Sequence, residues 1–157
     1  MRALRRRNLL DSFRVQSSGF RVEMASIQRF EEIEAWQKGR ELTRRIYQIT
    51  AKEKFARDFT LKDQIKRAAI SITSNIAEGF ERGGNREFIQ FLAMAKGSAS
   101  ELKSQLYTAL DAGYIDTKEF DQLYALAHSN VLLVSGFMKY LQQSELRGRK
   151  FKIVPHG

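Results

Sequence analysis

The chain predicts an all-α fold, an antiparallel up-down four-helix bundle, and three observations carry it. Its single proline is Pro155, so nothing from Met1 to Val154 is interrupted by a residue that breaks helices. Apolar residues recur every three or four positions through most of the body, and no stretch alternates as a strand does. Short polar or glycine-containing breaks separate the periodic runs, which is how neighbouring antiparallel helices are joined.

The first helix is expected over roughly 32–53, marked by Trp36, Gly39/Thr43, Leu42/Ile46 and Ile49/Thr50, with Phe30 and Ile33 slightly out of phase as a lead-in. The second begins at Thr60, where a hydroxyl is followed three residues later by Asp63 in the manner of a capping box. Leu61, Ile65, Ala68, Ile72, Ile76 and Gly79 then align on one face. After Gly83-Gly84, the residues Phe88, Leu92, Ala95, Ala99, Leu102, Leu106 and Leu110 repeat that spacing. Gly84 caps this third helix with Glu87 at the box position, and Gly113 is its left-handed stop. The fourth has Asp116 as cap, Glu119 completing the box, and Ile115 with Phe120 as a hydrophobic staple. Its core stripe, Phe120, Leu123/Tyr124, Ala127, Val131, Val134, Met138 and Leu141, runs to about Gln143.

Three segments follow from composition. Residues 1–23 carry six arginines against Asp11 and Glu23, for +4, and have no apolar signal core; they read as a disordered or mis-started basic extension. Residues 24–143 form the bundle, and 144–157 a basic tail of +3. At 157 residues the chain fits one domain. It has no cysteine, which removes disulfides, thiolate nucleophiles and thiolate metal sites, and is compatible with a cytoplasmic location. The longest aliphatic run, Val131-Leu132-Leu133-Val134, is far short of a membrane span.

No catalytic constellation is visible. His128 and His156 are the only histidines, and neither has an H-x-x-x-H or E-x-x-H partner. No inward Glu-x-x-His pairs exist for a di-iron bundle. "SNIAEGFERGGNREF", residues 74–88, has the glycines of a phosphate loop without its lysine, and reads as a helical hairpin corner. No metal, no cofactor and no enzymatic activity are expected.

Charge points instead to a polyanion. Residues 37–67 hold ten Lys or Arg against four acids, for +6, whereas 101–143 hold three against five, for −2. The candidate nucleic-acid-binding residues are Arg40, Arg44, Arg45 and Lys52 from the first helix and Lys62, Lys66 and Arg67 from the second, with Tyr47, Tyr107 and Tyr140 as aromatic surfaces for stacking. A solvated charged face is the bland alternative.

A second set of residues points away from the core positions. Ala93, Gly97, Ser100 and Ser104 form a small-residue stripe on the third helix, Ile70 and Ala77 project from the second, and Leu126, Leu133, Phe137 and Tyr140 from the fourth. Gly97 inside a helix costs about 1 kcal/mol against Ala, which close backbone approach would justify. Ile70, Ala93, Gly97, Ser100, Leu133 and Phe137 are the expected homo-oligomer interface.

The segments "WQKGRELTRRIYQIT" and "LKDQIKRAAISITSNIAEGFERGGNREFIQFLAMAKGSASELKSQL" resemble the bacterial four-helix bundle family first named for open reading frames inside 23S rRNA intervening sequences. The most specific parts are Gln64-Ile65-Lys66-Arg67-Ala68, Ser74-Asn75-Ile76-Ala77-Glu78-Gly79, and Ala95-Lys96-Gly97-Ser98 followed by Glu101-Leu102. The resemblance implies a non-enzymatic bundle that assembles as a homopentameric ring, and it marks Asn75, Glu78, Gly79 and Arg82 as family-motif positions. The family is similar in fold to the accessory variability proteins of diversity-generating retroelements, basic pentamers that bind nucleic acid and a reverse transcriptase. A nucleic-acid partner and, alternatively, a protein partner such as a reverse transcriptase are therefore both implied.

This sequence departs from the family pattern at Phe55-Ala56, Phe59-Thr60-Leu61 and Thr73, where proline or glycine is usual. The first connection and the middle of the second helix are accordingly expected to be more continuously helical. Asn75 and Gly79 are expected on the core side of the second helix, and Glu78 to pair with Arg82 one turn on.

Overall fold

The computed structural model describes the backbone of residues 27–152 and the side chains of 27–144. The basic extension expected over 1–23 and the side chains of 145–157, including His156, lie outside the described residues. A 3-10 turn, Phe30–Glu32, leads into α1, Glu34–Thr50; a short α2, Glu53–Arg57, connects it to α3, Phe59–Glu81. Then follow α4, Asn85–Asp111, and α5, Thr117–Lys152. No strand occurs among the described residues.

The four long helices surround one core in the order α1, α3, α4, α5, each packed against two of the others. Side-chain bonds set the antiparallel register: Thr43 to the Ala69 carbonyl, Ser98 to Ser71, Lys103 to His128 and Arg45 to Gln122. The core is aliphatic along its length, with Leu42, Ile46, Ile65, Ile72, Ile76, Leu92, Leu102, Leu106, Leu123 and Val134 fully buried. Phe55 from the short α2 closes one end, its ring 4.9 Å from that of Tyr114. Phe88 and Phe137 meet edge to face at the other, 4.9 Å apart.

The expected connections hold where the chain lacks proline. The α1–α3 link contains a five-residue helix, and α3 runs unbroken through Thr73. Gly83 and Gly113 both adopt positive φ, 77° and 74°, and end α3 and α4 as left-handed stops. Asp116 and Glu119 form the reciprocal box, with bonds of 2.8 and 3.3 Å. Gly84 caps α4 without a side-chain bond, as glycine must.

Four readings are corrected. The start of α3 is capped by Asp58, whose Oδ1 accepts the Leu61 amide at 3.0 Å, and Thr60 already lies inside the helix. Asp58 prevails because it also bonds Tyr114, a partner remote in sequence. On α1 the core stripe is Ala35, Gly39, Leu42, Ile46, Ile49 and Thr50, so Trp36 and Thr43 sit at its edge. α5 continues past Gln143 to Lys152, a stretch rich in residues that favour helix.

The fourth concerns Phe137. It is 1% exposed and packed on Phe88, so it cannot contribute an outward face. Leu133, Leu126 and Tyr140 are half-buried against the same core. Ile70, Ala93, Gly97 and Ser100 remain exposed, as their spacing predicts.

Candidate nucleic-acid interface

Packing sends the seven candidate cations in different directions. Arg45 turns to α5 and donates to Gln122 Oε1 at 2.8 Å. Lys52 lies beyond the end of α1, where it pairs with Glu119 of α5. Arg67 is exposed on the outer face of α3. Arg40, Lys62 and Lys66 are the set that the α1–α3 pairing brings to one side, and Arg44 stands beside Arg40 on the outer face of α1.

That side is built by two antiparallel helices in close contact. Thr43 Oγ1 donates to the Ala69 carbonyl at 3.1 Å, and a Cβ on Gly39 would lie 3.0 Å from Thr73 Cγ2. With α1 and α3 so close, side chains one position outward meet across the seam. Lys66 Nζ lies 4.4 Å from the centroid of the Tyr47 ring. Further along α3, Lys62 Nζ lies 4.4 Å from the Phe59 ring and donates to the Ala56 carbonyl at 3.1 Å. At the opposite end of α1, Arg40 covers Trp36 at 5.8 Å, and Trp36 meets Phe30 edge to face at 5.2 Å. Trp36, Gln37, Arg40, Glu41 and Arg44 line a shallow open groove there.

Sequence reasoning found these cations but missed their aromatic partners Trp36 and Phe59. The i,i+4 spacing of Trp36 and Arg40 carried one of those pairs; the other depended on where α3 begins. Of the stacking candidates, Tyr47 belongs to this side. Tyr107 packs with Phe120 and Tyr124 between α4 and α5, and burial and the neighbouring Tyr124 raise its pKa, Tyr124 foremost. Tyr140 is half-buried against the core.

The motif residues take structural positions. Glu78 Oε1 accepts from Arg82 at 2.8 Å on the surface of α3, and Arg82 also covers the Phe91 ring at 5.3 Å. Gly79 is buried where α4 crosses, and a Cβ there would lie 2.6 Å from Phe91 Cβ and 2.8 Å from Phe88 Cδ2. Asn75 is half-buried, not in the core, and its amide bonds the Ser71 carbonyl and hydroxyl at 2.8 and 2.9 Å. Arg86, next to the corner, is exposed.

Two buried amides escaped notice. Asn130 is fully buried and donates to the Ala35 carbonyl at 2.7 Å, leaving its Oδ1 without a partner. Gln105 donates to Glu101 at 3.0 Å, and its Oε1 is likewise unpartnered. A polar residue inside an apolar run carries no sign in the sequence of which way it faces. His128 lies on the surface with Nδ1 3.2 Å from Lys103 Nζ. Among the described residues no cluster of His, Asp and Glu could hold a metal ion, and no helix is long and apolar enough to cross a membrane.

The fold and this surface define a class: an all-helical, four-long-helix bundle with a cationic, aromatic seam. Residues 31–135 match the model of the 23S rRNA-intervening sequence protein family, and the chain belongs to that family. It is also similar to a crystal structure of a protein of unknown function from the S23 ribosomal protein family of Bacteroides thetaiotaomicron VPI-5482. That likeness has a TM-score of 0.62 and 24% identity, and covers 67% of this chain and 98% of the other. At that identity it speaks for the fold alone. No curated protein matches the chain.

Proposed function

We propose that the protein is a non-enzymatic cytoplasmic scaffold that binds RNA or DNA through the α1–α3 side of the bundle. The observation that carries this reading is the convergence of Arg40, Lys62 and Lys66 from two helices onto one seam, each set beside an aromatic ring, with Arg44 next to Arg40 on the open groove of α1. Four cations on one monomer make a modest field, since Glu41 and Asp63 stand nearby on the same helices. Assembly multiplies it, because repeated patches act at high effective concentration on one polyanion. The exposed Ala93, Gly97 and Ser100 and the exposed Ile70 support self-association, and a ring of five, as in the retroelement accessory variability proteins, is the form the resemblance implies.

Titration of a structured RNA hairpin at several salt concentrations tests the proposal. Binding should weaken linearly on a log-log scale, with a slope of about −3 for four phosphate contacts per subunit. Replacing Arg44, Lys62 and Lys66 by Glu should abolish it while the oligomer persists. Weak binding with no salt dependence sinks the reading.

A second reading is an adaptor for a protein such as a reverse transcriptase. Exposed Met94 on α4 and Leu132 on α5, the latter 59% exposed, favour it, because both project from faces remote from the cationic seam. Retained partner binding in the Glu-substituted protein distinguishes it from the first.

A further inference from the structure

Along the α1–α3 seam, cations and rings alternate in pairs. Arg40 lies over Trp36, Lys66 over Tyr47 and Lys62 over Phe59, at 5.8, 4.4 and 4.4 Å. Trp36 and Tyr47 are eleven residues apart on one stripe of α1, about 16 Å along its axis. Lys66 and Phe59 extend the line by about 10 Å in the same direction, because α3 runs antiparallel to α1. Tyr47 is 45% exposed and Phe59 69%, which leaves ring surface open to solvent next to each ammonium.

A double helix presents phosphates to a protein and keeps the faces of its bases stacked inside. Lysines and arginines alone suffice to hold it, and exposed rings add nothing. An unpaired strand offers phosphates and free base faces together, and proteins that hold such strands combine a positive groove with aromatic platforms. A ring beside a cation supplies both contacts to one nucleotide: the base stacks on the ring while its phosphate meets the charge. Three pairs spread over about 26 Å suit a short extended run of nucleotides, and the shallow open groove at Trp36, Arg40 and Arg44 receives one end of it.

Resting on the reading above, we propose that the α1–α3 seam binds unpaired nucleic acid, with Tyr47 and Phe59 as stacking platforms and Lys62, Lys66, Arg40 and Arg44 as phosphate contacts. The stacking and phosphate contacts are common to RNA and DNA, so strands of both kinds are expected to bind.

The test uses the whole protein with three fluorescent probes of about 12 nucleotides or base pairs: oligo(U), oligo(dT) and a blunt DNA duplex. Both single strands should bind at least 10-fold tighter than the duplex. Tyr47→Ala and Phe59→Ala should each weaken strand binding by about 5-fold or more at an unchanged salt slope, and Tyr47→Phe should restore it, since only the ring is needed. Lys62→Gln and Lys66→Gln should lower the slope by about 0.7 each. Both rings are exposed, so the variants should keep the parent's helical circular dichroism. Duplex bound as tightly as strand, with Tyr47→Ala and Phe59→Ala silent, overturns this inference and leaves polyanion binding standing. Failure of every probe overturns both.

Discussion

The Tyr114 hydroxyl donates to Asp58 Oδ2 across 2.9 Å, while Asp58 Oδ1 accepts the Leu61 amide at 3.0 Å. One carboxylate thus caps α3 and fastens the α4–α5 loop to the start of that helix, over the ring of Phe55. The Leu61 amide, and then the Tyr114 hydroxyl, hold the Asp58 pKa below its ordinary value, and the same bond raises that of Tyr114.

Asp58→Ala should therefore lower Tm more than Tyr114→Phe, because it removes the cap as well as the tie. The pH dependence follows from the direction of the shift. A depressed folded pKa contributes stability that is complete above the ordinary aspartate range and is lost as pH falls through the folded value. Urea unfolding between pH 7 and pH 2 should show an acid-side loss in the parent that is smaller in Asp58→Ala. An identical acid profile in the two proteins refutes the assignment.

Gly79→Ala should destabilise despite the better helix propensity of alanine. Its Cβ would meet Phe91 Cβ at 2.6 Å, which is backbone-fixed and cannot swing away. Overpacking of this kind costs about 1–3 kcal/mol, against a propensity gain of about 1. Gly136→Ala on α5 is the control: nothing lies within 4 Å of the added methyl, so there the propensity gain stands alone. Denaturant midpoints that move together in the two variants contradict this account of Gly79.

Asn130→Asp should place a carboxylate in the centre of the bundle, facing the Ala35 carbonyl where the amide now donates. Burial pushes the folded pKa of such a carboxyl up, and holding the charge there at pH 7 costs about 3–4 kcal/mol. It should shrink at pH 4, where the protonated acid becomes a donor to the carbonyl. A loss that does not change with pH means that the side chain has left the core.

The number and order of the long helices and most of their ends were legible because each rests on local information: a period of three or four, a box such as Asp116 with Glu119, a glycine where φ must be positive. What was not legible depended on partners far along the chain. Asp58 outcompetes Thr60 as a cap because Tyr114, 56 residues away, holds it. Arg45 and Lys52 read as candidate contacts on the polar side of the first helix until Gln122 and Glu119, 77 and 67 residues distant, draw them to α5. Phe137 reads as outward from its offset to the α5 stripe, yet the meeting with Phe88 at the bundle end buries it. The candidate site was half visible for the same reason: its charges lie within one segment, but the pairing of Lys66 with Tyr47 exists only once α3 lies against α1.

Glu41→Gln should strengthen nucleic-acid binding. Glu41 lines the same open groove as Arg40 and Arg44 and opposes the phosphates they would meet. Removing its charge should raise affinity about 2-fold at low salt, with the gain fading as screening shortens the range of the interaction. Fluorescence polarisation at two salt concentrations reads both effects, and unchanged affinity at low salt places the ligand elsewhere.

Gly97→Leu decides whether the outer face of α4 is a contact between copies. The stripe of Ala93, Gly97 and Ser100 is exposed in the single chain, and Gly97 has open space where a Cβ would stand. Within one chain, leucine there is a better helix former on an exposed face and its Cβ meets nothing, so monomer stability should be unchanged or higher. Between two copies packed through the stripe, the added side chain would force the helices apart. Light scattering should give an assembled mass for the parent and a monomer mass for the variant, with helical circular dichroism kept in both. A monomeric parent removes the self-association argument, and an assembled variant moves the contact to another face.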